Sequence, residues 1–387
     1  MAILCELLSL SISSITTQRN NHDASQAKFP SNNAGDHSNF GHDTVEARLD
    51  KALASASPIN LIFFFGGIED ARHLFGIIMR IADHESSAVP QSNRKYHFTI
   101  NDVKASTLAR DLIAFTLLQL VASSENPSKE YQTLTTVFYL FCFQVMPAFV
   151  YKHLQKTIST VIATICSGDS GLDWVFLGTP ARDEIVKALQ SWQVDAGRLY
   201  TTSYMSSSVA RNLEQTRHKH IMKLRAEYTT APKGCEKEMP LYYKIGAFYL
   251  PTSSLERHEP ALQTLISQYE RPDKMPPKKI KKHVEEKWKV NVTLVDVVWE
   301  KETPSDGVLD LQFNPYDAVE SLYAERPYYH HPLHQPEHAT MLYDYVAPYF
   351  VRTADAINHL KGRMKVEVVC GELNTVLEKI RYDVLDS

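Results

Sequence analysis

The chain is poor in the residues and motifs that announce a chemistry. It has five cysteines in 387 residues, Cys5, Cys142, Cys166, Cys235 and Cys370, and no two form a CxxC pair. That argues against a zinc ribbon and a disulfide framework, and for a reducing, cytoplasmic compartment. There is no GxSxG elbow, and no cysteine has a neighbouring nucleophile signature. There is no GxGxxG. A basic n-region is missing before the apolar start MAILCELLSLSISSITTQ, which carries Glu6. A frayed or amphipathic helix is expected there, with a signal peptide the lesser alternative. Net charge is −4, so no global attraction to nucleic acid or an acidic membrane is expected. The longest apolar stretch, TLTTVFYLFCFQVMPAFVYKHL, approaches a membrane span in length. Pro147 interrupts it, and a buried core helix over Tyr131 to Cys166, kinked at that proline, is the expectation.

What is present begins at Pro58 to Arg80, PINLIFFFGGIEDARHLFGIIMR. An apolar run, Leu61 to Phe65, stops at Gly66-Gly67. Glu69 and Asp70 follow, then Leu74, Ile77, Ile78 and Ile81 at helical spacing. Tyr96 to Ile100 alternates as a strand and ends at Asn101-Asp102. An apolar helix follows from Leu108 to Val121. This β-α-β-α pattern predicts a parallel sheet with right-handed crossovers. The expected class is α/β, a Rossmann-like parallel sheet with a large, mainly helical insertion. Residues 1–45 form a disordered or frayed segment, 46–125 the Rossmann-like opening and 126–362 the insertion. Residues 363–387 return with the strand Met364 to Cys370, the turn Gly371-Glu372 and a helix from Leu373.

Within the insertion, Trp174 to Gly178 is expected as a short strand. Tyr242 to Leu250 and Val290 to Trp299 are expected to be extended. Lys278, Lys279, Lys281 and Lys282 are placed in a solvated, proline-broken loop. Arg211, Arg217, His218, Lys219, His220, Lys223 and Arg225 make a positive helical stripe. The Asn291-Val292-Thr293 sequon is taken as chance. His330, His331, His334, Glu337 and His338 crowd together, but Pro332 and Pro336 break the helix that would aim them at one metal. A solvated loop is expected and no metal site is assigned.

A glycine turn between strand and helix lets backbone N–H groups approach a ligand, and the helix N-terminus favours negative charge. An acid ending the next strand can bind ribose hydroxyls. The candidate cofactor-binding residues are therefore Gly66, Gly67, Asp70, Asp102 and Glu372. The acids at the mouth repel phosphate, so S-adenosylmethionine suits the charges better than a dinucleotide. The alternative is structural: Gly-Gly makes a tight turn, Glu69 and Asp70 cap a helix, Arg72 pairs with one of them, and Asn101-Asp102 is a turn with an N-cap. No catalytic residue is assigned.

FGGIEDARHL followed by KYHFTINDVKASTLARDLIAFTLL resembles the fungal family called domain of unknown function 4470. That family sometimes accompanies a MYND-type zinc finger and is similar to the N-terminal part of the third dynein axonemal assembly factor. The residues carrying the resemblance are Gly67, Asp70, Arg72, Asn101, Asp102, Ala109 and Arg110, with WKVNVTLVD (Trp288 to Asp296) and KVEVVCGELNTVLEKIR (Lys365 to Arg381) further on. The resemblance implies a class I methyltransferase-like core, in which Gly371-Glu372 is a third cofactor-facing turn and a strand of the type FDxIxxSN follows. The sequence given stops at Asp386-Ser387, so the sheet is expected to be incomplete at its C-terminus, with an unpaired edge. No cysteine pair builds a MYND finger. Two functions stay open: a non-enzymatic scaffold or assembly factor with a protein partner, and an S-adenosylmethionine-dependent methyltransferase of unknown substrate.

Overall fold

In the computed structural model, the described residues are 49, 53, 60–68, 70–87, 93–168, 170–194, 200–211, 238, 241–242, 244–269, 278–295, 315 and 337–381. The chain enters through strand β1 (Asn60–Gly66), helix α1 (Arg72–Ser87), β2 (Lys95–Asp102) and α2 (Ala105–Ala122). Helix α3 (Pro127–Cys142), the two-residue strand β3 (Val145–Met146), α4 (Ala148–Cys166), β4 (Val175–Leu177) and α5 (Thr179–Val194) follow. Then come α6 (Thr252–His258), α7 (Pro260–Ser267), α8 (Lys278–Lys287) and β5 (Lys289–Val290). The chain closes with α9 (His338–Leu360), β6 (Met364–Cys370) and α10 (Leu373–Arg381).

The main sheet has the order β1-β2-β6-β4 and is parallel throughout. The expected strands at Leu61 to Phe65, Tyr96 to Ile100 and Met364 to Cys370 thus lie side by side, with Phe63 opposite Phe98 and Phe98 opposite Val366. Strand β4 comes from inside the region expected as a helical insertion, and it pairs with β6 at Val175, Phe176 and Leu177.

Side chains alternate across a strand, and the two faces differ. One carries Leu61, Phe63, Phe65, Tyr96, Phe98, Ile100, Met364, Val366 and Val368. Phe98, Ile100 and Val366 are wholly buried there, Phe63 stacks on Phe98 at 5.0 Å, and the Tyr96 hydroxyl donates to Glu85 of α1. The other face carries Ile62, Phe64, His97, Thr99, Lys365, Glu367 and Phe176. Ile62 is 73% exposed and Phe64 37%. β1 is the outer strand on that side.

Helix α2 organises the helical layer. It lies against α3, α4, α5 and α9 as well as β2 and β6. Leu108, Ile113, Phe115, Leu117 and Leu118 have no exposed surface. Such all-round burial explains its unbroken apolar composition. It is long and apolar enough to cross a membrane by length and composition, and two thirds of it is buried inside the protein.

Four local expectations give way. The helix over Tyr131 to Cys166 is two helices, and Pro147 is the N-cap of α4 rather than a kink, with φ −57° and ψ 150°. A proline restricts the residue before it to extended backbone, and Val145-Met146 accordingly pairs with β5. Lys278, Lys279, Lys281 and Lys282 start helix α8 instead of lying in a loop, because Ile280 and Val284, one turn apart, are buried. Residues 241–242 and 244–245 are helical, and 246–250 follow without regular structure, starting from Gly246 at φ +67°. The expected strand from Val290 to Trp299 is not continued over its described part, Val290 to Val295: β5 ends at Val290 and a 3-10 turn occupies Val292–Leu294, and residues 296–299 lie outside the described residues. His330, His331, His334, Arg217 to Arg225 and residues 316–323 lie outside the described residues.

Asn291 causes that last departure. It has no exposed surface, so the sequon is closed to glycosylation in the folded chain. Its Nδ2 donates to the carbonyls of Tyr139, Leu140 and Phe143 at 3.0–3.2 Å. Its Oδ1 accepts from Thr293 N and Oγ1, and its backbone N–H donates to Gln144 O. One side chain thus closes the C-terminus of α3, whose last carbonyls have no helical partner. Asn291→Ala leaves these groups unpaired and is expected to cost about 3 kcal/mol, measured as a lower urea midpoint at unchanged slope.

Candidate functional site

The carboxyl ends of β1, β2 and β6 meet at one rim of the sheet. Gly66-Gly67, Asn101-Asp102 and Cys370-Gly371-Glu372 all lie there, with Gly66 opposite Asn101 and Asp102 opposite Cys370. Gly66, Gly67 and Glu372 are exposed. Gly67 has φ +66°, a conformation that glycine adopts without strain.

The rim is held by Asn101, which is 1% exposed. Its carbonyl accepts from both Gly67 N (2.8 Å) and Ile68 N (3.1 Å). Its Nδ2 donates to Val369 O (3.1 Å) and Gly371 O (2.9 Å). A single residue therefore ties β1 to β2 through its backbone and β2 to β6 through its side chain. The two turn amides that a bound ligand would use are already donating. Leu373 closes the space above: a Cβ built on Gly66 would lie 2.6 Å from Leu373 Cδ1.

Asp102 is 7% exposed, and its Oδ1 accepts from Lys104 N at 2.8 Å. It forms the turn toward α2, as in the structural alternative, but the N-cap of that helix is Lys104 and not Asp102. Asp70 is turned inward. Its carboxylate accepts from Arg72 Nε (2.7 Å), Nη2 (2.5 Å) and backbone N (3.0 Å). Burial alone would raise this carboxyl, but the paired Arg72 guanidinium brings it down to about 2. The N-terminus of α1 is thus occupied by the chain's own acids, because Asp111 of α2 also accepts there, from Ala71 N at 2.9 Å.

Asp111 has no exposed surface. Burial, and then the charge of Asp70, push its carboxyl well above the usual carboxylate range. Next to it, Arg110 Nη2 donates to Leu140 O at 2.9 Å and its guanidinium lies 5.0 Å over the Phe141 ring. This buried quartet, Asp70, Arg72, Arg110 and Asp111, locks the glycine turn onto α2. Asp111 and Leu373 were not legible as site residues. The adjacent Arg110-Asp111 in an apolar helix was the available signal, since buried charges are kept only where they are paired or hydrogen-bonded.

Cys370, the thiol nearest the rim, is half-buried and pushed up to about 11, chiefly by burial and then by Glu184 and Asp102. Cys142 is pushed up to about 12 by burial. Neither is an activated nucleophile. At the start of α9 Glu337 Oε2 accepts from Thr252 N, and burial brings the His338 ring down to about 3.

The model of a family described as Domain of unknown function (DUF4470) matches residues 39–143. That stretch holds β1, α1, β2, α2 and α3, and with them the glycine turn, Asn101 and the whole buried quartet. Glu372 and α10 lie outside it. No curated protein and no solved structure matches the chain.

The two buried acids predict opposite outcomes. Asp70 is depressed from 3.8 to about 2, so its contribution is present above pH ~4 and lost as pH falls through the folded value. Asp70→Asn is expected to cost about 2 kcal/mol at neutral pH and to flatten stability between about pH 4 and 2. Asp111 is raised, so its contribution is present below the unfolded value and is lost as pH rises. Asp111→Asn keeps an acceptor for Ala71 N and is expected to raise the urea midpoint at neutral pH.

Proposed function

We propose that this protein is a non-enzymatic scaffold or assembly-type protein, built on a Rossmann-like, class I methyltransferase-like sheet whose glycine turn takes no cofactor. One observation carries the reading: Gly67 N and Ile68 N both donate to Asn101 O, so the turn has the shape of a ligand cradle without its free donors. Leu373 against Gly66, and the filling of the α1 N-terminus by Asp70 and Asp111, support it. The match of the opening unit to a domain of unknown function is consistent with a fold kept for its shape, and fold alone does not imply an activity.

In this reading the protein is fungal and cytoplasmic, takes a protein partner, and binds neither nucleic acid nor membrane. Leu373, Leu377 and Ile380 on α10, each at least 40% exposed, form an apolar ridge at helical spacing of the kind a protein partner would cover.

The second reading is an S-adenosylmethionine-dependent methyltransferase with Gly66, Gly67, Asp70, Asp102 and Glu372 around the donor. Exposure of Gly66, Gly67 and Glu372 at neighbouring carboxyl ends favours it, since ligands of open α/β sheets bind there. Calorimetry separates the two. Millimolar S-adenosylmethionine, or its demethylated product, is expected to give no heat of binding with the wild-type protein. Heat that Gly67→Arg and Asp102→Ala both abolish would overturn the scaffold reading.

A further inference from the structure

Helix α8 opens with Lys278, Lys279, Lys281 and Lys282. At about 3.6 residues per turn, the buried Ile280 and Val284 mark its inner face. Lys278, Lys279, Lys282 and Glu286 share the outer face, and all are exposed. Lys282 is a helical neighbour of both Lys278 and Lys279, and like charges at that spacing destabilise a helix. Cations in a first turn also oppose the helix dipole. Relief from within the fold is small. Lys281 approaches Glu285 at 3.9 Å and Lys282 approaches Glu286 at 3.7 Å, and solvent screens such exposed pairs. Among the described residues, no acid pairs with Lys278 or Lys279. Ile280 and Val284 account for a helix at this place, but not for lysine at its outer positions. A local rule broken on a well-anchored element is expected where function asks for it.

The surroundings of α8 set the kind of partner. Ser203 Oγ donates to Glu285 at 2.9 Å, and Lys281 Nζ lies 3.5 Å from Ser207 Oγ. His283 Nε2 lies 2.9 Å from Glu259. The helix is thus fastened on both flanks, and its outer lysines project from a fixed platform. No Phe, Tyr or Trp lies in α8 to stack on bases. Lysines are point charges, without the forked guanidinium that grips phosphate. Glu285 and Glu286 end the positive patch after about one turn, ~5.4 Å of helix. A long polyanion following the axis would meet them as like charges, and the net charge of −4 opposes it too.

We propose that the outer face of α8, through Lys278, Lys279 and Lys282, docks a short Asp/Glu-rich segment of a partner protein. This rests on the reading that the protein takes a protein partner, and it adds the chemistry by which that partner is recognised. The lysines donate charge-assisted hydrogen bonds to the segment's carboxylates, and binding relieves the repulsion among them. Glu286 keeps the acceptable anionic run short.

Fluorescence anisotropy with the full chain and a labelled peptide holding a short run of glutamates tests it. The wild type is expected to bind this peptide and not its glutamine counterpart. The combined variant Lys278→Gln, Lys279→Gln, Lys282→Gln is expected to weaken binding about tenfold. It is also expected to raise the urea midpoint of the free protein, because the repulsion is gone. Lys129→Gln, Lys152→Gln and Lys156→Gln together remove the same charge from exposed positions of α3 and α4 and are expected to leave affinity unchanged. Glu286→Gln is expected to tighten binding about twofold. Absence of wild-type binding would overturn the proposal, as would equal loss in both combined variants, which would make the attraction one of net charge. Tighter binding of oligouridylate or phosphatidylserine vesicles, lost with the same α8 lysines, would overturn it in favour of a phosphate-bearing partner. A lowered urea midpoint with affinity retained would assign these lysines to stability instead. Should the combined α8 variant fail to fold, Lys278→Gln alone is expected to weaken binding about twofold. The peptide decides this inference, and S-adenosylmethionine binding separately decides the scaffold reading.

Discussion

The rim of the sheet depends on Asn101. Its carbonyl holds Gly67 and Ile68, and its side chain holds Val369 and Gly371. Strand ends usually leave backbone groups for loops, water or a ligand to satisfy. Here one asparagine of β2 satisfies two donors at the end of β1 and two acceptors at the end of β6. The geometry that makes Gly66-Gly67 resemble a cofactor turn is thus the geometry that saturates it. A ligand arriving there would have to displace a bond between the chain's own backbone groups and move Leu373 from above Gly66.

Behind the rim, the buried quartet performs the same service for the first helix. An α-helix begins with unsatisfied N–H groups and a partial positive charge. Asp70 and Asp111 accept the first N–H groups from within the fold, and Arg72 holds the charged Asp70 in place. The Arg72 carbonyl in turn accepts from the Tyr349 hydroxyl at 2.8 Å, so α9 is tied to the same corner. Asn291 plays the part of Asn101 at the far end of α3. Two buried asparagines, each bonded to backbone groups on several segments, fix where helices and strands stop.

The sheet was legible because β1, β2 and β6 are short apolar runs that end at glycine or Asn-Asp, and that signal is local. The central helix α2 was legible from its unbroken apolar composition. What the sequence did not disclose is which partner each polar residue takes. Asp70 and Glu69 were equivalent acids at a turn, and only the path of α2 brings Arg110 and Asp111 to that corner. Asn291 looked like a chance sequon because the carbonyls it closes lie about 150 residues away. Lysines 278, 279, 281 and 282 looked like a loop because charge dominated the pattern, while Ile280 and Val284 decided the helix. Strand β4 was expected as a strand, but not in this sheet, since three residues carry no register of their own.

The central claim is that the amides of the glycine turn are used internally. Residue-resolved exchange of Gly67 and Ile68 tests it most directly. The account predicts slow exchange for both, comparable to the interior of β2, and no change on adding S-adenosylmethionine. Fast exchange in the free protein that slows when S-adenosylmethionine is added would contradict it.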